Sequence, residues 1–215
     1  MTDTTLTTTI DLLRHGEPLG GRKYRGQIDD PLSETGWRQM REAVADHCPW
    51  QHIISSSLCR CADFARELAT RHELSLDLEP RLMEIGFGEW EGRTADELMA
   101  EDPQRLFRFW SDPINNIPPG AETLRDFEQR VIAAWDELLL QHAGKHLLVI
   151  GHAGMIRMIV RHVLAMPLEN MFRLKVDLAG ITRIQVEQRD GQLLPKLLFH
   201  GGQIEGGQIE GGRTE

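Results

Sequence analysis

Two histidines stand where short apolar runs give way to glycine: Arg14-His15-Gly16 ends the stretch from Thr8, and Gly151-His152-Ala153-Gly154 ends the stretch from His146. Arg60 and Glu84 occupy comparable breaks between apolar segments. Each has a plain structural reading, as a hydrogen-bonded core histidine, a surface arginine or a loop carboxylate. Together they meet the needs of one reaction, phosphoryl transfer through histidine, in which charge spreads over the equatorial oxygens and catalysis depends on positioning and cationic donors. Arg14 and Arg60 offer planar, permanently charged forks for those oxygens, and His152 a further donor. His15 needs no separate base, because neutral imidazole has a lone pair near pH 7 and neighbouring arginines disfavour imidazolium. Glu84 can protonate a leaving alkoxide and then deprotonate the water that cleaves phosphohistidine. Such chemistry calls for no metal and no cofactor.

The elements that must position these residues follow from hydrophobic pattern. Thr8 to Leu13 reads as a strand, with Arg14 and His15 at its carboxyl end, where open α/β sheets bind ligands; Gly16 lets the backbone turn away. Pro18 to Asp30 is a long loop whose bases Arg22, Lys23 and Arg25 either face a substrate or simply meet solvent. Ser33 caps a helix that Pro49 ends. Ile53 to Ser57 is a second strand opening into a loop, and Leu58 to Arg71 an amphipathic helix. Arg60 in its first turn is unfavourable beside the positive helix end, unless an anion shares the pocket. Leu76 to Leu82 reads as a strand that leads to Met83–Gly92, a tight loop of glycines, aromatics and acids. Thr94 to Trp110 is a helical excursion broken near Pro103, forming a lid or wall.

A long helix opens at Glu122 and Thr123 and runs to about Gln141. The strand His146–Ile150 and a helix over Met155–Ala165 follow, and two outer strands, Ile181–Gln188 and Leu193–Phe199, are joined by the turn Asp190-Gly191. The expected architecture is a three-layer α/β/α sandwich with a mostly parallel sheet, in a single domain over residues 1–200 with its helical lid at about 94–111. Residues 201–215, with a repeated Gly-Gly-Gln-Ile-Glu, read as a flexible Gly-rich tail.

Composition narrows the partners. The 215 residues carry 24 Lys+Arg against 33 Asp+Glu, a formal net charge of -9 that opposes general attraction to nucleic acid or anionic membranes. An anionic ligand must be drawn by local arginines, which points to a small phosphorylated metabolite as partner. No apolar run approaches a membrane span and Met-Thr-Asp-Thr-Thr lacks the features of a secretory signal, so the expected location is cytoplasmic. The three cysteines, Cys48, Cys59 and Cys61, lack metal-type spacing and read as free thiols. Oligomeric state is not legible.

The motifs Leu13-Arg14-His15-Gly16-Glu17, Ser55-Ser56-Ser57-Leu58-Cys59-Arg60, Glu84-Ile85-Gly86-Phe87-Gly88-Glu89-Trp90-Glu91-Gly92 and Gly151-His152 resemble, in order and spacing, the histidine phosphatase (phosphoglycerate mutase-like) superfamily. The resemblance runs from about residue 8 to 199. It implies that His15 is the phosphorylated nucleophile, that Arg14, Arg60 and His152 form the phosphate pocket, and that Glu84 is the proton donor. It also implies one antiparallel edge strand.

Within the superfamily the chain is most similar to alpha-ribazole phosphatases, through Leu98–Asp102, Phe127–Val131, Met166–Phe172 and Val176-Asp177. That likeness implies hydrolysis of alpha-ribazole 5′-phosphate in cobalamin biosynthesis. The mutase branch typically carries a longer insertion after the glutamate and a basic pair before Pro-Pro; here Phe109-Trp110-Ser111-Asp112 precedes Pro118-Pro119, which favours a hydrolase. One departure concerns the phosphate pocket. Many relatives place an asparagine shortly after Arg-His-Gly-Glu, where this chain reads Pro18-Leu19-Gly20-Gly21, and Arg25 or Gln27 is the expected substitute. The alternatives are a phosphoglycerate mutase-type transferase and a non-catalytic binder of phosphorylated ligands, the latter opposed by intact His15 and Glu84. A Rossmann-type nucleotide module is disfavoured because Gly20-Gly21 and Gly86-Phe87-Gly88 lack the required spacing.

Overall fold

The run Leu6–Arg14, alternating β-branched and apolar residues, forms β1, and its Ile10, Leu12 and Leu13 are fully buried. The structure, a computed structural model, describes residues 6–202. Five further strands complete one sheet: β2 (His52–Ser55), β3 (Leu76–Leu78), β4 (His146–Gly151), β5 (Ile181–Arg189) and β6 (Gln192–Gly202). Their order is β3-β2-β4-β1-β5-β6. The first four are parallel neighbours. The antiparallel edge is a hairpin, with β5 opposing β1 and the outermost strand β6 opposing β5. Asp190 and Gly191 turn it with φ of 50° and 76°, the left-handed conformations that a two-residue hairpin requires.

Helices cover both faces, as a mostly parallel sheet demands. On one side α5 (Leu124–Gln141) and α6 (Ala153–Val163) pack Phe127, Val131, Trp135, Ile156 and Ile159 against Ile10, Leu12 and Val149. On the other, α1 (Glu34–Val44) and α2 (Cys59–His72) pack Met40, Val44, Phe64 and Leu68 against Leu13, Ile53 and Ile150. The remaining helices, α3 (Ala95–Glu101) and α4 (Arg105–Ser111), occupy the expected lid segment. A small core of Trp90, Leu98, Leu106 and Phe109, joined by Tyr24, Phe87 and Phe172, anchors them.

Several boundaries differ from the pattern. Ser33 does cap α1, accepting from the Gly36 amide, but the helix stops at Val44, well before Pro49. β3 ends at Leu78, and Pro80–Leu82 forms a 3-10 turn instead, since proline has no amide hydrogen for the ladder. Gly201 and Gly202 close β6, so the expected tail starts at least two residues late; residues 203–215 of it lie outside those described. Among the described residues no helix is long and apolar enough to cross a membrane.

Candidate active site

The carboxyl ends of β1 and β4 lie side by side, with Arg14 opposite Gly151 in the register. This pairing brings His15 and His152 together, ring centroids 5.2 Å apart and nearly edge to face. The neighbouring parallel strand β2 leads through Ser56 into α2 and so delivers Arg60. Arg14 and His15, Arg60, and Glu84, from three separate segments, line one cavity of about 800 Å³.

His15 is almost completely buried, and its Nδ1 lies 2.7 Å from the carbonyl oxygen of Gly16. A carbonyl can only accept, so Nδ1 carries the proton and, in neutral imidazole, Nε2 keeps a free lone pair. Burial, reinforced by the charges of Arg14 and Arg60, holds the His15 pKa well below the usual histidine range. His152 is shifted the same way, by burial and then by Arg60. It is fully buried behind the lining, with Nε2 2.7 Å from Ser56 Oγ and Cys61 Sγ 3.6 Å away.

The arginines are anchored by backbone and keep capacity to spare. Arg14 donates Nη1 to Val176 O at 2.6 Å; burial pushes its pKa down to about 10, still far above neutrality. Arg60 donates Nη1 to Ile28 O and Nη2 to Gly26 O, at 2.7 and 2.8 Å. The Nε atoms of both are buried with no partner among the described residues. Unpaired buried guanidinium hydrogens cost free energy that an anion in the cavity would recover. At the start of α2, the Asp29 carboxylate accepts from the Cys59 amide at 2.6 Å and offsets part of the positive field around Arg60.

Glu84 is held by two amides: Oε1 accepts from Ile85 N at 3.0 Å and Oε2 from Gly154 N at 3.1 Å. A Cβ on Gly154 would stand 2.1 Å from Glu84 Oε1, so glycine at the start of α6 makes room for the carboxylate. Arg130 fastens the loop behind it through Arg81 O, Met83 O, Glu84 O and the Glu122 carboxylate.

Three expectations change in detail. Gly16 has no left-handed φ; its lack of a side chain matters because a Cβ there would meet Gly36 O at 2.3 Å, where the start of α1 crosses the loop. Arg25 lines the cavity, but its Nε donates to Asp30 and its Nη2 to Leu19 O and Gly21 O, so it folds its own loop. Gln27 lies outside the lining, and its side-chain amide donates to Glu84 O at 3.2 Å, which places it behind the carboxylate and away from the phosphate pocket. Arg22 and Lys23 do face the cavity.

The pattern reading missed Arg157, which lines the cavity one turn into α6, donates Nε to Leu174 O and lies over the Phe172 ring. Tyr24, Phe87, Trp110 and Phe172 add an aromatic wall to the lining, contributed by two loops, α4 and the 3-10 helix Leu168–Arg173.

Sequence comparison decides the family. The profile of the histidine phosphatase superfamily (branch 1) matches residues 10–195. This chain belongs to that superfamily. It is 34% identical over 180 residues, 81% of its length, to the bifunctional protein Rv2228c of Mycobacterium tuberculosis, of which it spans about half, 49%. It is 32% identical over 189 residues to the probable phosphoglycerate mutase GpmB of Yersinia pestis, covering 83% of this chain and 85% of that one. Among solved structures, a putative alpha-ribazole-5′-P phosphatase from Escherichia coli superposes with a TM-score of 0.74 at 26% identity, over 89% of this chain and 95% of that one. The superfamily's activities are phosphatase and mutase chemistry on phosphorylated small molecules, and the fold is the phosphoglycerate mutase-like one expected.

Proposed function

We propose that the chain is a metal-independent phosphomonoesterase in which His15 is the nucleophile. The observation that carries this reading is the Nδ1–H bond from His15 to Gly16 O, which leaves Nε2 as the attacking atom beside two arginines with unused donors. Nε2 adds its lone pair to phosphorus as the P–O bond breaks, and the leaving oxygen takes a proton from the Glu84 carboxyl. Glu84, now a carboxylate, removes a proton from water, whose oxygen attacks phosphorus. The P–N bond breaks, and phosphate leaves with His15 neutral again. Arg14 and Arg60 neutralise the equatorial oxygens throughout, and His152 supplies a further hydrogen bond when its Nε2 is released from Ser56.

For the leaving group we infer a flat, ring-bearing alcohol of the alpha-ribazole type. The aromatic wall supports it, since Tyr24, Phe87, Trp110 and Phe172 offer stacking surface in the lining, and so does the structural likeness to the Escherichia coli phosphatase. The likeness to GpmB favours a second reading, transfer within phosphoglycerate. A screen of phosphate esters that includes alpha-ribazole phosphate and phosphoglycerates, with His15→Ala as the blank, separates the two. Release of inorganic phosphate supports the hydrolase. Movement of the phosphoryl group without release supports the mutase, and unaltered turnover by His15→Ala refutes both.

A further inference from the structure

A second cluster of chemically able side chains lies at the amino end of β2, whose opposite end leads to the catalytic loop. His52 opens β2, Asp77 sits in β3, and His142 follows the last turn of α5. His52 Nε2 is 2.7 Å from Asp77 Oδ2, and the two imidazole centroids are 4.5 Å apart with ring planes 32° from parallel. We propose that His52, Asp77 and His142 form a binding site for a zinc-like transition-metal ion, separate from the catalytic cavity, that ties β2 and β3 to the end of α5.

Ligand type and geometry carry the proposal. One donor atom from each of the three lies within 4.8 Å of the others. Zinc bonds near 2.0–2.2 Å set tetrahedral ligands about 3.3 Å apart, so a pair at the 4.8 Å limit must close by about 1.5 Å and the 2.7 Å His52–Asp77 pair must open slightly. The Asp77 side chain, 65% exposed, can shift to meet an ion, while His52 and His142 are held more firmly by burial. Two imidazoles and one carboxylate leave a fourth position for water and suit zinc, nickel or copper better than magnesium or calcium.

The surroundings favour a cation on balance. The unpaired carbonyls at the end of α5 give that terminus partial negative charge, and His142 stands at it. Glu79 and Glu137 share a hollow of about 280 Å³ with Asp77 and His142, although both already pair with Arg81. Lys145 opposes binding, with Nζ 3.5 Å from His142 Nδ1, but it is an exposed side chain on a flexible stem that can withdraw.

The test is calorimetric titration of the full chain with zinc chloride, alongside thermal scans with and without zinc. The parent should take up about one zinc per chain and melt at higher temperature with it. His52→Ala, His142→Ala and Asp77→Asn should each weaken binding about tenfold or more. Each should also keep the metal-free rate of phosphate-ester hydrolysis. Lys145→Met, which disturbs no core contact, should tighten binding and so tests the site even if an alanine variant fails to fold. No zinc uptake at about 100 μM, a millimolar-class result, would overturn the proposal. Equal affinity in the parent, His142→Ala and Lys145→Met, or loss confined to His15→Ala, would overturn it as well, the last by placing the ion at the catalytic histidines.

Discussion

His15 is oriented and chemically assigned by one hydrogen bond, because the Gly16 carbonyl can only accept and so leaves Nε2 bare. Burial and the nearby arginines favour the same neutral state, with the pKa values of His15 and His152 both well below 6.5. Nitrogen-15 histidine spectra should therefore show both rings neutral at about pH 5.5, and midpoints near the ordinary value would contradict this account. Gly154→Ala should push the Glu84 carboxylate aside, since the added Cβ falls 2.1 Å from Oε1. A displacement near 1 Å is worth about a hundredfold in rate, so kcat should fall by that order while the fold, checked by circular dichroism, is retained. Arg14, His15 and His152 were legible as site candidates because they end apolar strand runs, Arg60 because a cation in the first turn of a helix is out of place, and Glu84 because it opens a glycine-rich loop. Arg157 was not, because an arginine inside an amphipathic helix looks the same whether it meets solvent or a cavity. Gln27 was misplaced because its partner, the Glu84 carbonyl, is brought to it by loop packing that no local pattern encodes.

At the scale of elements, β1 carries an unusual burden beside the site. Asp11, fully buried, accepts from Trp50 Nε1 at 2.8 Å, His146 Nε2 at 2.9 Å and Arg183 Nε at 2.6 Å. Burial alone would raise its pKa, but the bonds from Arg183 and His146 outweigh that and hold it below the usual range. Asp11→Ala leaves the Arg183 charge without its partner and should cost about 3–5 kcal/mol in urea denaturation. The strand pattern showed an apolar run with one acid in it; the three partners come from strands and a loop distant in sequence. The pair α3 and α4 has its own supports. Thr94 and Glu97 form a reciprocal capping box at the start of α3, and Thr94→Ala should cost about 1 kcal/mol. Local hydrogen exchange across α3 is the measurement that checks it. Helix starts with such caps were read well, whereas the end of β3 was not, because Pro80 limits pairing that the apolar pattern alone allows.

For the whole molecule, the buried histidines link stability to pH. As pH falls below about 6.5 the unfolded chain binds protons that folded His15 and His152 refuse. Their contribution is therefore complete above that pH and is lost progressively below it. Between pH 7 and about 5.5 the denaturation free energy should drop, and a flat profile would contradict the burial of both rings. The layered α/β architecture was legible throughout, since alternating strand and helix patterns admit few other arrangements. What the pattern left open was how the loops close over the carboxyl ends of the strands, which sets the cavity and its aromatic wall. The central claim is that His15 itself carries the phosphoryl group. Rapid quenching during turnover, followed by peptide mass spectrometry, should find acid-labile phosphate on the peptide containing His15 and none in His15→Ala. Turnover with no phosphorylated His15 at any time would contradict it.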